Sequence, residues 1–331
     1  MKIAEIAKLA GVSVATVSRT INNRGKVSPE VQQRVMEIVE KYHYVPNATG
    51  RSLRTSKTGM ILVSIPDVFN SFYFDILQGI EKRTSENGYN IIVAPTQGAR
   101  IIEDKYISML TTKQVDGFIA LNTCMNAEEL YTLSRNFPLV MACEFPFGAN
   151  VSCVEIDNHA AAYEAVKYLI HVGHSQISMI SSSLVCTSSI QREKGFKDAC
   201  LDFQIGYQDT DIIHHLHNFE GGYEACQMLM NSSKPPTAIF CYSDEMAVGA
   251  IRYIFESGLI PGKDIDIIGF DNIDASNYTY PPLTTFYAPA FDMGQFGARL
   301  LHQAIKDHTK LLPMRIQLPC YLVERESCQA L

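Results

Sequence analysis

Three observations predict an α/β protein in which a three-helix headpiece precedes two doubly wound parallel-sheet lobes. Helical apolar stripes fill the first 42 residues, short apolar strands alternate with helical patterns from residue 60 onwards, and charge is divided unevenly between the two parts. At 331 residues, with 47% hydrophobic and 19% charged residues, the chain exceeds the usual size of a single core. The headpiece is placed at 1–46, a hinge at 47–58 and a larger domain at 59–331. Within the larger domain the first lobe takes 59–157 plus 288–315, and the second takes 158–287 plus 316–331.

In the headpiece, Ile3, Ile6, Ala7 and Ala10 recur at helical spacing and form a stripe that stops at Gly11, which suits a helix C-terminus before a tight turn. Ser13 is placed to cap a second helix over 14–22, with Val17 and Ile21 inward. Ser28 and Pro29 read as an N-cap and first-turn proline of a third helix, whose stripe is Val31, Val35, Ile38, Val39 and Tyr42. A short turn between the first two helices makes this a helix-turn-helix unit, whose second helix is built to enter a DNA major groove. On its outer face Arg19 suits guanine O6 and N7 or a phosphate, while Val14 and Ala15 suit groove shape or thymine methyls. Ser13, Thr16, Ser18 and Asn22 suit phosphate contacts, which position without specifying. The same spacing also fits a three-helix cap or a dimerisation element with a solvated face.

Charge supports the first reading. The net charge of −7 divides into +6 for residues 1–57, from ten Lys/Arg against four acids, and −13 for the rest. A basic module on an acidic body seats the module on phosphates and repels the body from them.

In the larger domain the runs at 60–66, 90–95, 116–121, 138–143, 153–157, 176–181, 237–243 and 264–272 read as strands. Helical patterns lie between them, such as 72–86, 159–172, 192–202 and 245–257. This alternation implies parallel sheets covered by helices, with a ligand cleft at the carboxyl ends of the strands.

Several classes of function are disfavoured. No apolar run is long enough to span a membrane, and the N-terminal MKIAEIAKLAG is amphipathic, with Glu5 inside it, so a cytoplasmic protein is expected. The nine cysteines form no CxxC pair and lack His companions at metal-ligand spacing, so reduced thiols and no metal are expected. No dinucleotide, P-loop or nucleophile-elbow motif occurs, so neither a cofactor nor a catalytic residue is expected.

The literal residues carry more. The run 6–19 (IAKLAGVSVATVSR), with Val27-Ser28, Tyr44-Val45-Pro46-Asn47 and Gly50-Arg51-Ser52-Leu53, closely resembles the headpiece and hinge of the LacI/GalR repressor family. The likeness continues in Gly79-Ile80-Glu81, Gly173-His174, Arg192-Glu193-Lys194-Gly195-Phe196, Gly269-Phe270-Asp271-Asn272 and Pro281-Pro282-Leu283-Thr284-Thr285. The resemblance implies lobes like those of periplasmic binding proteins, a homodimer on operator DNA and a small-molecule effector, here a nucleoside such as cytidine. It implies further DNA contacts at Lys26, Tyr44, Asn47 and Arg51, and a minor-groove wedge at Leu53. It also implies effector contacts at Tyr73, Phe74, Asp157, Arg192, Phe219, Asp244 and Asp271. Cys186 stands where purine-responsive relatives place an arginine, which argues against a strongly anionic effector.

Other readings remain beside these. Tyr73 and Phe74 suit a buried helix face, Arg192 suits an ion pair with Glu193 or Asp198, and Asp157, Asp244 and Asp271 suit helix caps. A sugar or purine base is an alternative effector. A periplasmic solute-binding protein would share the body but not the headpiece, and an α/β nucleoside- or sugar-processing enzyme would need a catalytic constellation that the chain does not display. No heptad repeat occurs in 325–331, so a dimer is expected rather than a tetramer. Gly50 stands where the family more often has alanine, and glycine within a helix costs roughly 0.5–1 kcal/mol. Gly50→Ala is therefore expected to tighten operator binding and sharpen its dependence on half-site spacing, measured by gel shift on operators of varied spacing.

Overall fold

The computed structural model describes residues 1–21, 25, 27–44, 57–68, 70–307 and 312–328. The chain divides into two compact units, Met1–Thr58 and Gly59–Leu331.

The first unit contains α1 (Ile3–Ala10), α2 (Val14–Ile21) and α3 (Pro29–Lys41). Gly11 ends α1 in the left-handed region at φ 65°, where a residue without Cβ pays no steric penalty. Ser13 caps α2, its hydroxyl accepting from the Thr16 amide at 3.1 Å. Ile6, Ala7, Ala10, Val17 and Val35 form a closed core. Tyr42, expected in the α3 stripe, is exposed instead. It lies beyond the last turn of α3, and His43 at φ 47° redirects the chain so that Tyr44 packs on the core in its place.

The second unit holds two six-stranded sheets. The first lobe contains β1 (Met60–Ile65), α4 (Ser71–Ser85), β2 (Asn90–Pro95), α5 (Arg100–Thr111), β3 (Gly117–Ala120), α6 (Ala127–Asn136), β4 (Leu139–Ala142) and β5 (Cys153–Ile156). The second contains α7 (Asn158–His171), β6 (Ile177–Ser182), α8 (Thr187–Asp202), β7 (Ile212–His215), α9 (Phe219–Met230), β8 (Ala238–Cys241), α10 (Asp244–Glu256), β9 (Asp266–Asp271) and β10 (Thr284–Tyr287). The chain then returns to the first lobe for α11 (Ala290–Asp307) and β11 (Arg315–Leu318), and to the second for β12 (Tyr321–Val323). Strand orders are β11-β5-β4-β3-β1-β2 and β12-β10-β9-β8-β6-β7, and every pair is parallel except β10 with β12.

Two details differ from the sequence reading. The last crossing between lobes falls at 319–320 rather than 315/316, because β11 pairs with β5 from Arg315 to Leu318. Four strands, β7, β10, β11 and β12, were not expected. Three of them are edge strands bearing His, Arg, Gln or Tyr, which blur the apolar signal. β10 lies inside its sheet, but its buried Thr284 and Thr285 read as polar until their hydroxyl partners, Arg325 O and the Asp244 carboxylate, are known.

α4 and α11 lie against each other at glycine contacts. A Cβ at Gly79 would overlap the carbonyl of Phe291, and one at Gly294 would overlap that of Ile76. Both helices therefore span the first lobe as one close-packed pair. Gly79→Ala is expected to cost about 1–3 kcal/mol by forcing the helices apart, whereas Gly206→Ala, which meets no atom within 4 Å, should stay within about 0.5 kcal/mol of wild type. Urea denaturation of the two variants checks the contrast.

Candidate functional site

In the first unit, Ser13, Val14, Ala15 and Arg19 are exposed, while Thr16 and Ser18 are half-buried. Val14, Ala15 and Arg19 share the outward face of α2, opposite Val17 and Thr20. Ser13 and Thr16 are engaged with each other, hydroxyl to hydroxyl at 2.9 Å, so their capping work competes with a phosphate contact. The ring of Tyr44 is half-buried on the core. Asn22, Lys26, Asn47, Arg51 and Leu53, and with them Gly50, lie outside the described residues.

In the second unit a cleft of about 810 Å³ opens between the lobes. Its walls are the segments that follow β1, β2, β3 and β4 on one side and β6, β7 and β8 on the other, all at carboxyl ends of parallel strands. Tyr73, on the first turn of α4, and Tyr242, just after β8, face this space from opposite lobes. Phe145 and Phe147 join Tyr73, while Leu184 and Leu216 lie across from them.

Behind the cleft wall lies Arg192, which is 5% exposed and, like Asp271, is not among the residues lining the cleft. Its Nε donates to Asn158 Oδ1 at 2.9 Å, its NH1 group donates to the Tyr242 carbonyl, and NH2 stands 3.6 Å from Asp271 Oδ1. The guanidinium carbon lies 3.5 Å from the Phe270 ring centroid and 4.7 Å from that of Tyr242. Burial opposes its charge, but Asp271 and its other neighbours hold it above the ordinary arginine value. Burial pushes the Asp271 carboxyl well up, against the pull of Arg192.

The other expected effector residues are placed differently. Asp157 is exposed and caps α7, accepting from the Ala160 amide at 2.9 Å. Asp244 is fully buried and accepts from Ile273 N at 2.9 Å and from the hydroxyls of Ser276 and Thr285, so its carboxylate is used within the second lobe. Phe74 and Phe219 are exposed and do not line the cleft. Arg192 pairs with neither Glu193 nor Asp198, which bind His214 with Lys197 and His159 respectively.

Tyr242 and His217 line the cleft but were not among the candidates, and Glu144, which also lines it, is a position that the sequence reading disfavours as an effector contact. Each sits one or two residues beyond a strand, a position that could have flagged Tyr242 and counted in favour of Glu144. His217 follows β7, an unrecognised strand. Its Nε2 is buried without a partner, and burial, then Arg192, holds the imidazole down at about 4.

Two carboxyl groups cross between the lobes. Glu144 accepts from Ser188 N at 3.3 Å, at the start of α8, and Glu245 accepts from the Ser71 amide and lies 3.5 Å from Asn70 Nδ2, at the start of α4. Each lobe thus sends an acid to a helix N-terminus of the other, where the helix dipole favours negative charge. Burial first, then Asp67, pushes Glu245 up to about 7 from an ordinary 4.5. All nine cysteines are free thiols. Among the described residues no cluster of His, Cys, Asp or Glu could hold a metal, and no helix is long and apolar enough to cross a membrane.

Residues 2–47 match the bacterial regulatory proteins of the lacI family, and residues 166–328 match a periplasmic binding protein-like domain. The HTH-type transcriptional repressor CytR of Escherichia coli (strain K12) is 34% identical over 328 residues, 99% of this chain and 96% of its own length. Catabolite control protein A of Priestia megaterium is also 34% identical, over 327 residues and 98% of each chain. The lac repressor dimer bound to operator and the anti-inducer ONPF shares the fold, with a TM-score of 0.89, 24% identity, and coverage of 99% of this chain and 98% of that one. A helix-turn-helix unit joined to a two-lobed cleft domain is the architecture of a DNA-binding transcriptional repressor that answers to a small effector. The chain belongs to the lacI family of bacterial regulatory proteins.

The raised value of Glu245 has a defined consequence for stability. A carboxyl favoured in its protonated form contributes fully below its unfolded value of 4.5, and the contribution is lost as pH rises through about 7. Glu245→Gln should therefore gain stability relative to wild type between those limits, at up to about 1.4 kcal/mol per pH unit. Urea denaturation across pH checks this, and parallel curves for the two proteins would mean that Glu245 titrates normally.

Proposed function

We propose that the effector is a nucleoside such as cytidine, held in the cleft, and that its binding releases the repressor from its operator. The observation that carries this reading is the set of cleft walls, which offer the rings of Tyr73, Tyr242 and Phe145 and the carboxyl of Glu144, with Arg192 held behind them 3.6 Å from Asp271. A planar base stacks on such rings, and ribose hydroxyls or an exocyclic amine donate to the carboxyl. An anionic ligand would meet Glu144 and Asp67, with no Lys or Arg among the described lining residues. The second reading is a purine base or a sugar, the latter favoured by the 27% identity to the transcriptional regulator CelR in its cellobiose complex, over 99% of this chain.

In this proposal Arg19, Val14 and Ala15 read bases, while Ser13, Thr16 and Ser18 position the unit on phosphates. Two copies pair in the cytoplasm and set two recognition helices on a near-palindromic operator. The effector changes operator affinity by binding one lobe orientation better than the other, and by no more than that difference.

Cytidine at about a hundred times its dissociation constant is expected to stabilise the protein by about 2.7 kcal/mol and to weaken operator binding in a gel-shift titration. Glu144→Gln should weaken cytidine by roughly tenfold. A thermal-shift panel of nucleosides, bases and sugars is the check. A response to a sugar or a free base alone selects the second reading, and silence with every nucleoside overturns the first.

A further inference from the structure

A second pocket, of about 210 Å³, lies on the first lobe at the far ends of α4 and α11. Both helices begin near the cleft, as Tyr73 on the first turn of α4 marks. Their other ends reach the edge where Asn90 N donates to Gly59 O at 2.9 Å and where Leu301 and Ile305 approach Gly117. The pocket therefore sits beside the point where the chain enters the second unit.

Among the described residues its lining is Arg83 and Asn87 from the α4 side, and Arg299, His302, Gln303 and Lys306 from α11, with no acid among them. Arg299, His302, Gln303 and Lys306 share one face of α11 by their helical spacing. His302 is 5% exposed, and both of its ring nitrogens are buried without a hydrogen-bond partner. Its ring rests on Tyr89, with centroids 5.3 Å apart. Burial, then Lys306 and Arg83, holds the imidazole down at about 4, so it is neutral, with one donor and one acceptor unanswered. Arg83 is tied at 3.1 Å to the half-exposed Glu86. Arg299 rests over the Phe296 ring, and among the described residues neither Arg299 nor Lys306 has a carboxylate within ion-pair distance.

We propose that this pocket binds a small phosphate-class oxyanion. Three cations converging with two amides are the donor set that an anion with several acceptor oxygens requires, and guanidinium groups match it bidentately. A buried polar ring left unpaired costs free energy, and a side-chain shift that turns its N–H towards the anion would let it donate to an acceptor oxygen. The site is separate from the cleft and does not depend on which effector the cleft takes.

Inorganic phosphate is the probe. At constant ionic strength it is expected to raise the melting temperature of the full chain saturably where chloride does not, and to shift the His302 ring signals in nitrogen-15 NMR. The double variant Arg299→Gln/Lys306→Gln, at two exposed positions, should weaken phosphate by roughly tenfold or more. No saturable response in the wild type, or unchanged affinity in the double variant, overturns the assignment. Operator binding of the double variant in phosphate-free buffer separates the two sources of such an anion. Unchanged affinity places the anion in solution. A fall with a salt dependence smaller by about two phosphate contacts, together with indifference to free phosphate, assigns the cations to the DNA backbone and overturns the small-anion proposal.

Discussion

One buried guanidinium constrains the second unit. Arg192 sits on α8 with almost no access to water, and a charge so placed persists only where partners replace its hydration. Asn158 at the start of α7, the Tyr242 carbonyl beyond β8, Asp271 at the end of β9 and the Phe270 ring meet around it, so two helices and two strands are tied at one point. Asp271 takes φ 106° to reach it, a conformation that non-glycine residues rarely hold and that packing must impose. The same arrangement places the Tyr242 ring on the cleft wall and keeps the guanidinium behind it.

The lobes meet through weaker chemistry. Glu144 and Glu245 each reach a helix N-terminus of the opposite lobe, and both carboxyls are pushed upward by burial. Favourable dipole contacts and unfavourable desolvation therefore oppose each other at the same groups. A contact so balanced lets a ligand with a modest preference for one orientation decide between two.

α4 runs from this contact away from the cleft. Its first turn bears Tyr73 and receives Glu245, its middle is pressed against α11 through Gly79 and Gly294, and its far end lies beside Gly59. Close glycine contacts make the helix pair stiff, because no side-chain layer separates the backbones to absorb displacement. This continuity is spatial, and it gives a physical route for coupling rather than a measured coupling energy.

Legibility followed the range of the forces involved. Helical stripes, the Gly11 stop and the Ser13 cap were readable because each acts within a few residues; most of the eight apolar strands were readable because burial on both faces leaves an unbroken apolar run, and β2, a half-buried edge strand, because its Ile91, Ile92 and Val93 are apolar all the same. Tyr42 and Tyr44 exchanged roles because one left-handed residue, His43, redirects the chain. β10 was hidden because Thr284 and Thr285 look polar until their distant partners are known. Tyr73, Arg192 and Asp271 were named from motifs, yet that Arg192 and Asp271 pair with each other behind the cleft wall, that Asp244 is consumed inside its lobe and that Phe74 and Phe219 face solvent could not be. By itself the sequence determined the helix-turn-helix headpiece, the alternating α/β body and the family. Only the tertiary structure decided which polar groups are already satisfied and which still face a ligand, because hydrogen-bond and charge partners dozens of residues apart in the chain are set by the fold.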